Sequence, residues 1–110
     1  MNRVLVALAL IMVSTPVLSE QVIASYYGNE LRGHRTANGE VFNPGGLTAA
    51  HKSLPFGTCL LVSYHGRSVQ VRVNDRGPFV RGRSLDLSRG AARVLGMGST
   101  SSVTMKRCGE

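Results

Sequence analysis

The chain has 110 residues, 43% of them hydrophobic, with 13 glycines, four prolines and no tryptophan, and 13 Lys and Arg against six Asp and Glu give a formal charge of +7. One small globular domain fits this composition, and a disordered tail does not. Two cysteines cannot build a four-cysteine zinc site, and the chain has neither a GxxxxGK(S/T) loop nor a strand-borne GxGxxG, so nucleotide-driven chemistry also drops out.

Residues 1–19 read as a signal peptide. Arg3 supplies the positive start, Val4 to Val13 is an unbroken apolar run, and Pro16 precedes a cleavage site after Ser19. The run is too short to span a bilayer, which needs roughly 20 residues. With no cysteine near that site, a lipid anchor has no attachment point, and a stable membrane anchor is not expected. The mature chain, residues 20–110, is then a single small domain in a periplasmic or extracellular setting. An oxidising compartment favours a bridge between Cys59 and Cys108, with two free buried thiols as the alternative. Loop-closure entropy sets its worth at roughly 4 kcal/mol. Export also changes the meaning of the positive charge. Nucleic acid is not the expected partner; wall polymers or simple solubility are.

Val22 to Tyr27 predicts a short strand, and residues 28–46, rich in Gly, Asn and Pro, predict loop. Leu47 to Ala50 reads as a brief strand and Pro55-Phe56-Gly57 as a turn. Thr58–Tyr64 and Ser68–Asn74 form a hairpin around His65-Gly66-Arg67. In its second arm Val69, Val71 and Val73 alternate with Ser68, Gln70, Arg72 and Asn74, so one face packs inward. Ser84 to Leu87 is another strand. Ser88 then caps a short helix from Arg89 to Leu95, which Gly96 stops. Ser101 to Arg107 gives the last strand. Short strands, one helix and no alternating strand–helix rhythm predict a small mixed β-barrel.

Few titratable residues sit in unusual settings. Glu40 lies in a Gly-rich loop, His51 at a strand end, and Asp75 just past the hairpin before Arg76-Gly77-Pro78. A solvated loop acid, a satisfied histidine and a turn former are the plain structural alternatives. Asp86, between Leu85 and Leu87 and just ahead of the helix, reads as structural. No metal or other cofactor is called for.

The blocks Ala24-Ser25-Tyr26-Tyr27-Gly28, Thr36-Ala37-Asn38-Gly39-Glu40, Thr48-Ala49-Ala50-His51, Leu54-Pro55-Phe56-Gly57-Thr58, Val71 to Phe79 and Gly82 to Ser88 resemble the rare lipoprotein A family, in that family's order. The resemblance implies a mainly β fold, a six-stranded double-psi β-barrel related to expansin and barwin domains, with one short helix. It also implies an endolytic lytic transglycosylase that cleaves MurNAc–GlcNAc bonds in peptidoglycan strands lacking stem peptides and leaves 1,6-anhydro ends. The family's acid, histidine and aspartate fall on Glu40, His51 and Asp75. Asp75 is expected to serve as general acid and then base, with Glu40 and His51 positioning it. Where the family often carries Asp shortly after its acid, this chain has Asn43. Tyr26, Tyr27, Asn43, Arg76 and Phe79 are the expected substrate contacts. The glycan strand is the expected partner, and a monomer the expected state. A non-catalytic, expansin-like wall-binding module is the rival reading, with core packing the alternative for the aromatics.

Overall fold

The structure, a computed structural model, describes residues 19–110. The leader expected over 1–19 lies, save for Ser19, outside the described residues. Six strands, β1 (Glu20–Tyr27), β2 (Thr48–His51), β3 (Cys59–Tyr64), β4 (Arg67–Asp75), β5 (Leu85–Ser88) and β6 (Ser101–Arg107), close into a barrel in the order β1-β5-β2-β4-β3-β6. One 3-10 turn, Asn29–Leu31, and one helix, α1 (Arg89–Leu95), complete it. The pairs β1–β5 and β2–β4 are parallel, and the other four are antiparallel. The expected six-stranded barrel with a single short helix is what forms.

Alternation builds the interior. Val22 and Ala24 of β1, Val69, Val71 and Val73 of β4, and Leu85 and Leu87 of β5 all lie in one buried cluster. Ala91, Ala92 and Leu95 of α1 join it. Ser88 begins the helix as expected: its hydroxyl accepts from the Ala91 amide at 3.2 Å. Gly96 ends it in the left-handed region, φ 70°.

The hairpin turn differs from expectation. Tyr64 pairs with Arg67, so only His65 and Gly66 turn the chain, at φ 48° and 81°. Two successive left-handed residues match the right-handed twist of the arms. Cys59, opening β3, bonds Cys108, just past β6, with Cα atoms 5.4 Å apart.

Residues 28–46 are not a free loop. Tyr27, Phe42 and Ala50 form a second buried cluster, with Leu31 packed on it. Ala50 follows Ala49 of the barrel interior, so it faces outward. The segment is therefore folded over the outer face of β1 and β2, and that covered face holds the carboxylates.

Candidate active site

A row of side chains crosses four strands of this outer face. Ser25 of β1 pairs with Asp86 of β5, Asp86 with Ala50 of β2, and Ala50 with Asp75 of β4. Residues directly opposite in a sheet share a face. Asp86 and Asp75 thus stand on either side of the small Ala50, with Cα atoms roughly 10 Å apart, two strand spacings. A bulge makes this possible. Ala49 pairs with Val73 but Ala50 pairs with Asp75, so Asn74 is the extra residue of β4. Without it, Asp75 would follow Val73 by strict alternation and miss the row.

Each carboxylate has its own surroundings. Asp75 Oδ1 accepts from the backbone amides of Ala37 and Arg76, both at 2.9 Å. Neither Arg72 nor Arg76 pairs with it. Arg72 turns to Glu40, and Arg76 lies over the Phe56 ring, 4.0 Å from its centroid. Asp86 is half-buried, and its Oδ1 accepts from the Ser25 hydroxyl at 3.1 Å. Burial pushes the Asp86 carboxyl up to about 6; the Ser25 bond and Arg83 pull against this, while Asp75 and Glu30 add to it. Tyr27, two residues after Ser25, brings a buried hydroxyl that has no hydrogen-bond partner. Burial first, then the charges of Asp75 and Asp86, push the phenol far up. It stays a protonated donor beside two acids.

Glu40 does a different job. Its carboxylate takes both guanidinium nitrogens of Arg72, Nη2 at 3.0 Å to Oε1 and Nη1 to Oε2. The side-chain amides of Asn38 and Asn74 add bonds of 2.9 and 3.1 Å. These bonds, Arg72 foremost, hold its carboxyl down to about 2. It is an ionised anchor. The same loop reaches Asp75, because the Asn38 amide donates to Asn74 O at 3.2 Å beside the Ala37 bond. Glu40 and Asp75 are therefore joined through residues 36–40.

His51 is not joined to them. Alternation sends its side chain off β2 on the face opposite Ala50. Nδ1 accepts from the Ser53 and Leu54 amides at 3.1 and 3.0 Å. Burial, with Arg76 and Lys52, lowers its pKa against the pull of Glu20. Its one link toward Asp75 is through the backbone: Arg76 Nη1 donates to His51 O at 3.2 Å.

The expected contact residues separate too. Phe79 is 84% exposed and offers a free ring. Tyr27 is buried, its ring 4.9 Å from that of Phe42. Tyr26 ties its hydroxyl to Gly98 O at 3.0 Å. Asn43 accepts from the Gly45 amide at 3.0 Å and so closes its own turn, a bond that Asp would make as well. The residue that sequence reasoning set aside is Asp86. Its polar side chain between two inward leucines was the available signal, since alternation already placed it outside. Among the described residues, no three His, Cys, Asp or Glu gather as a metal would require.

The family model described as lytic transglycolase matches residues 19–106. The probable endolytic peptidoglycan transglycosylase RlpA of Nostoc sp. is 63% identical over 84 residues, 73% of this chain and 23% of that protein. The endolytic peptidoglycan transglycosylase RlpA of Campylobacter jejuni is 54% identical over 77 residues, 68% of this chain and 28% of that protein. The chain thus spans about a quarter of the length of these relatives. Among solved structures, the Streptomyces papain inhibitor superposes with a TM-score of 0.64 at 23% identity, over 86% of this chain and 98% of that one. The Clavibacter michiganensis expansin superposes with a TM-score of 0.67 at 20% identity, over 82% of this chain and 50% of that one. Both share the barrel fold. Matched from residue 19 to 106 by the family model, and more than half identical to relatives that carry the name, the chain belongs to the rare lipoprotein A (RlpA) family and adopts its double-psi β-barrel.

Proposed function

We propose that this protein is an exported endolytic lytic transglycosylase of peptidoglycan. It cuts the β-1,4 bond from N-acetylmuramic acid to N-acetylglucosamine in strands without stem peptides and leaves a 1,6-anhydro end. The relatives' names support the reaction class. One observation carries it to this chain: the row that sets Asp86 and Asp75 on either side of Ala50, with the Tyr27 hydroxyl beside them.

The reaction needs one proton delivered and one removed. Asp86, pushed up to about 6, can hold the proton that goes to the leaving glycosidic oxygen. As the C1–O bond breaks, the muramyl 6-hydroxyl closes on C1, and Asp75 takes the hydroxyl proton. Water takes no part. Asp75 suits an acceptor's task, because the Ala37 and Arg76 amides fix one oxygen and none engages Oδ2 among the described residues. Glu40 positions Asp75 through the 36–40 loop, and the exposed Phe79 gives a sugar ring a stacking face.

A second reading, a wall-binding module without catalysis, draws on that same free Phe79 ring and on the Arg76–Phe56 stack. Mass spectrometry of stem-free glycan strands incubated with residues 20–110 separates the two. Anhydromuramyl products support the enzyme; strands that bind and stay whole overturn it.

A further inference from the structure

A cleft of about 290 Å³ outside the carboxylate row is lined by Asn29, Arg32, Gly45, Arg89, Gly90 and Arg93, among others, and holds no acid. Its three arginines come from two elements. Arg32 follows the 3-10 turn, and Arg89 and Arg93 stand four apart on α1, on one helix face. Like charges so placed repel one another. Among the described residues, none of the three forms an ion pair or donates a side-chain hydrogen bond. Glu30, the acid closest in sequence, spends its carboxylate on the Gly28 amide at 3.2 and 3.3 Å.

The walls are fixed. Gly90 donates its amide to Pro44 O at 2.8 Å, and the Ser88 hydroxyl donates to Gly46 O at 2.5 Å. Any side chain at Gly90 would sit 2.6 Å from Gly45 O, so the loop can lie there only because residue 90 lacks one. The cleft also adjoins the carboxylate row. Tyr27 pairs with Ser88, and the Arg89 stem covers Gly28, 3.2 Å from where a Cβ would stand. Arg89, the first residue of α1, follows Asp86 by three residues, one past the end of β5, so the two backbones are at most roughly 10 Å apart.

A guanidinium recognises a carboxylate through paired N–H donors, and three unpaired ones in a preformed cleft call for an anion. If the protein acts on glycan strands as proposed above, the strand itself carries one. Each muramyl residue bears a lactyl group. Its carboxylate is free when the stem peptide is absent, and is an uncharged amide when the stem is attached. We infer that Arg32, Arg89 and Arg93 form a subsite for the free lactyl carboxylate of a muramyl residue neighbouring the one being cut. The subsite gives the protein its preference for stem-free strands.

The test compares three ligands on residues 20–110: stem-free strands, the same strands with lactyl carboxylates converted to methylamides, and strands bearing stems. Binding is followed by calorimetry and products by mass spectrometry. Charge-assisted hydrogen bonds of ordinary strength predict at least about tenfold weaker binding of the methylamide strands. The variant R32Q/R89Q/R93Q should bind free and methylamide strands alike while keeping the wild-type melting temperature. A single R93Q variant serves if the triple variant does not fold, and should narrow the preference. Equal wild-type binding of free and methylamide strands overturns the subsite. Stem-bearing strands binding as well as stem-free ones overturn it too, because the carboxylate read would then be the peptide's. Charge-dependent binding without anhydro products leaves the subsite standing and removes the catalytic reading. Cleavage indifferent to the lactyl charge does the reverse.

Discussion

Glu40 and Asp86 lie on one face of one small barrel and titrate in opposite senses. Glu40 is held down to about 2, so its pairing with Arg72 is fully present above the unfolded value near 4.5 and is lost as pH falls toward 2. The pair is partly exposed, which limits it to about 0–1 kcal/mol. Asp86 is held up at about 6, so its ionisation opposes folding: its own contribution to stability is greatest below pH 4 and is lost as pH rises from 4 through 6. Melting temperatures measured from pH 2 to 8 should therefore show Glu40→Gln falling progressively below wild type as pH rises from 2, with the full gap reached above about 4.5. Asp86→Asn should gain on wild type between pH 4 and 6. For catalysis, Asp75→Asn and Asp86→Asn should each lower the cleavage rate by about 10²–10⁴-fold with the fold retained. The wild-type rate should fall above pH 6 as Asp86 gives up its proton. A rate unchanged in Asp75→Asn removes that residue from the reaction. An alkaline limb that survives in Asp86→Asn removes the acid role of Asp86.

At the scale of the element, the bulge in β4 decides what the site contains. Asn74 is almost fully buried, donates to Glu40, and offers its carbonyl to the Asn38 amide. Asn74→Ala should remove the side-chain bond to Glu40 while the backbone bond from Asn38 to residue 74 remains, loosen the hold on Glu40, destabilise the fold by about 1–3 kcal/mol, and lower kcat/KM. Urea unfolding and steady-state cleavage would check the two effects separately. The strand itself was legible in the sequence: Val69, Val71 and Val73 point inward as their spacing requires. So was α1, from its Ser88 cap to its Gly96 stop. The bulge was not, because register belongs to a pair of strands, and the partner β2 lies more than 20 residues earlier in the chain. Asp86 escaped for the same reason. Its meaning depends on Ser25 and Asp75, 61 and 11 residues away, which the parallel pairings β1–β5 and β2–β4 and the antiparallel pairing β2–β5 bring beside it. His51 shows the opposite limit. A motif names a residue type at a position, but strand alternation and two backbone amides decide where its ring faces.

Across the whole molecule, one covalent link spans the barrel's late strands. The bridge between Cys59 and Cys108 closes a separation of 49 residues. Replacing both with serine should cost about 2–4 kcal/mol, measured as a lower midpoint in guanidinium, with a somewhat steeper slope because the unbridged unfolded chain exposes more surface. The Cys108 amide also donates to Cys59 O at 3.0 Å, so the ends of β3 and β6 stay in register without the sulfurs. The variant should therefore keep its barrel.

The strand order carries a consequence for the birth of the molecule. β1 is flanked by β5 and β6, so the first of the six described strands finds both its neighbours in the last two. Until Ser101–Arg107 arrives, β1 and β3 each present an open row of amides and carbonyls. Such rows template association with other chains. Assembly is bound to be slow, because so much of the pairing joins residues distant along the chain. A chain halted before Ser101 should collect in the pelleted fraction after centrifugation, while the chain continued through β6 to residue 110 stays in the supernatant.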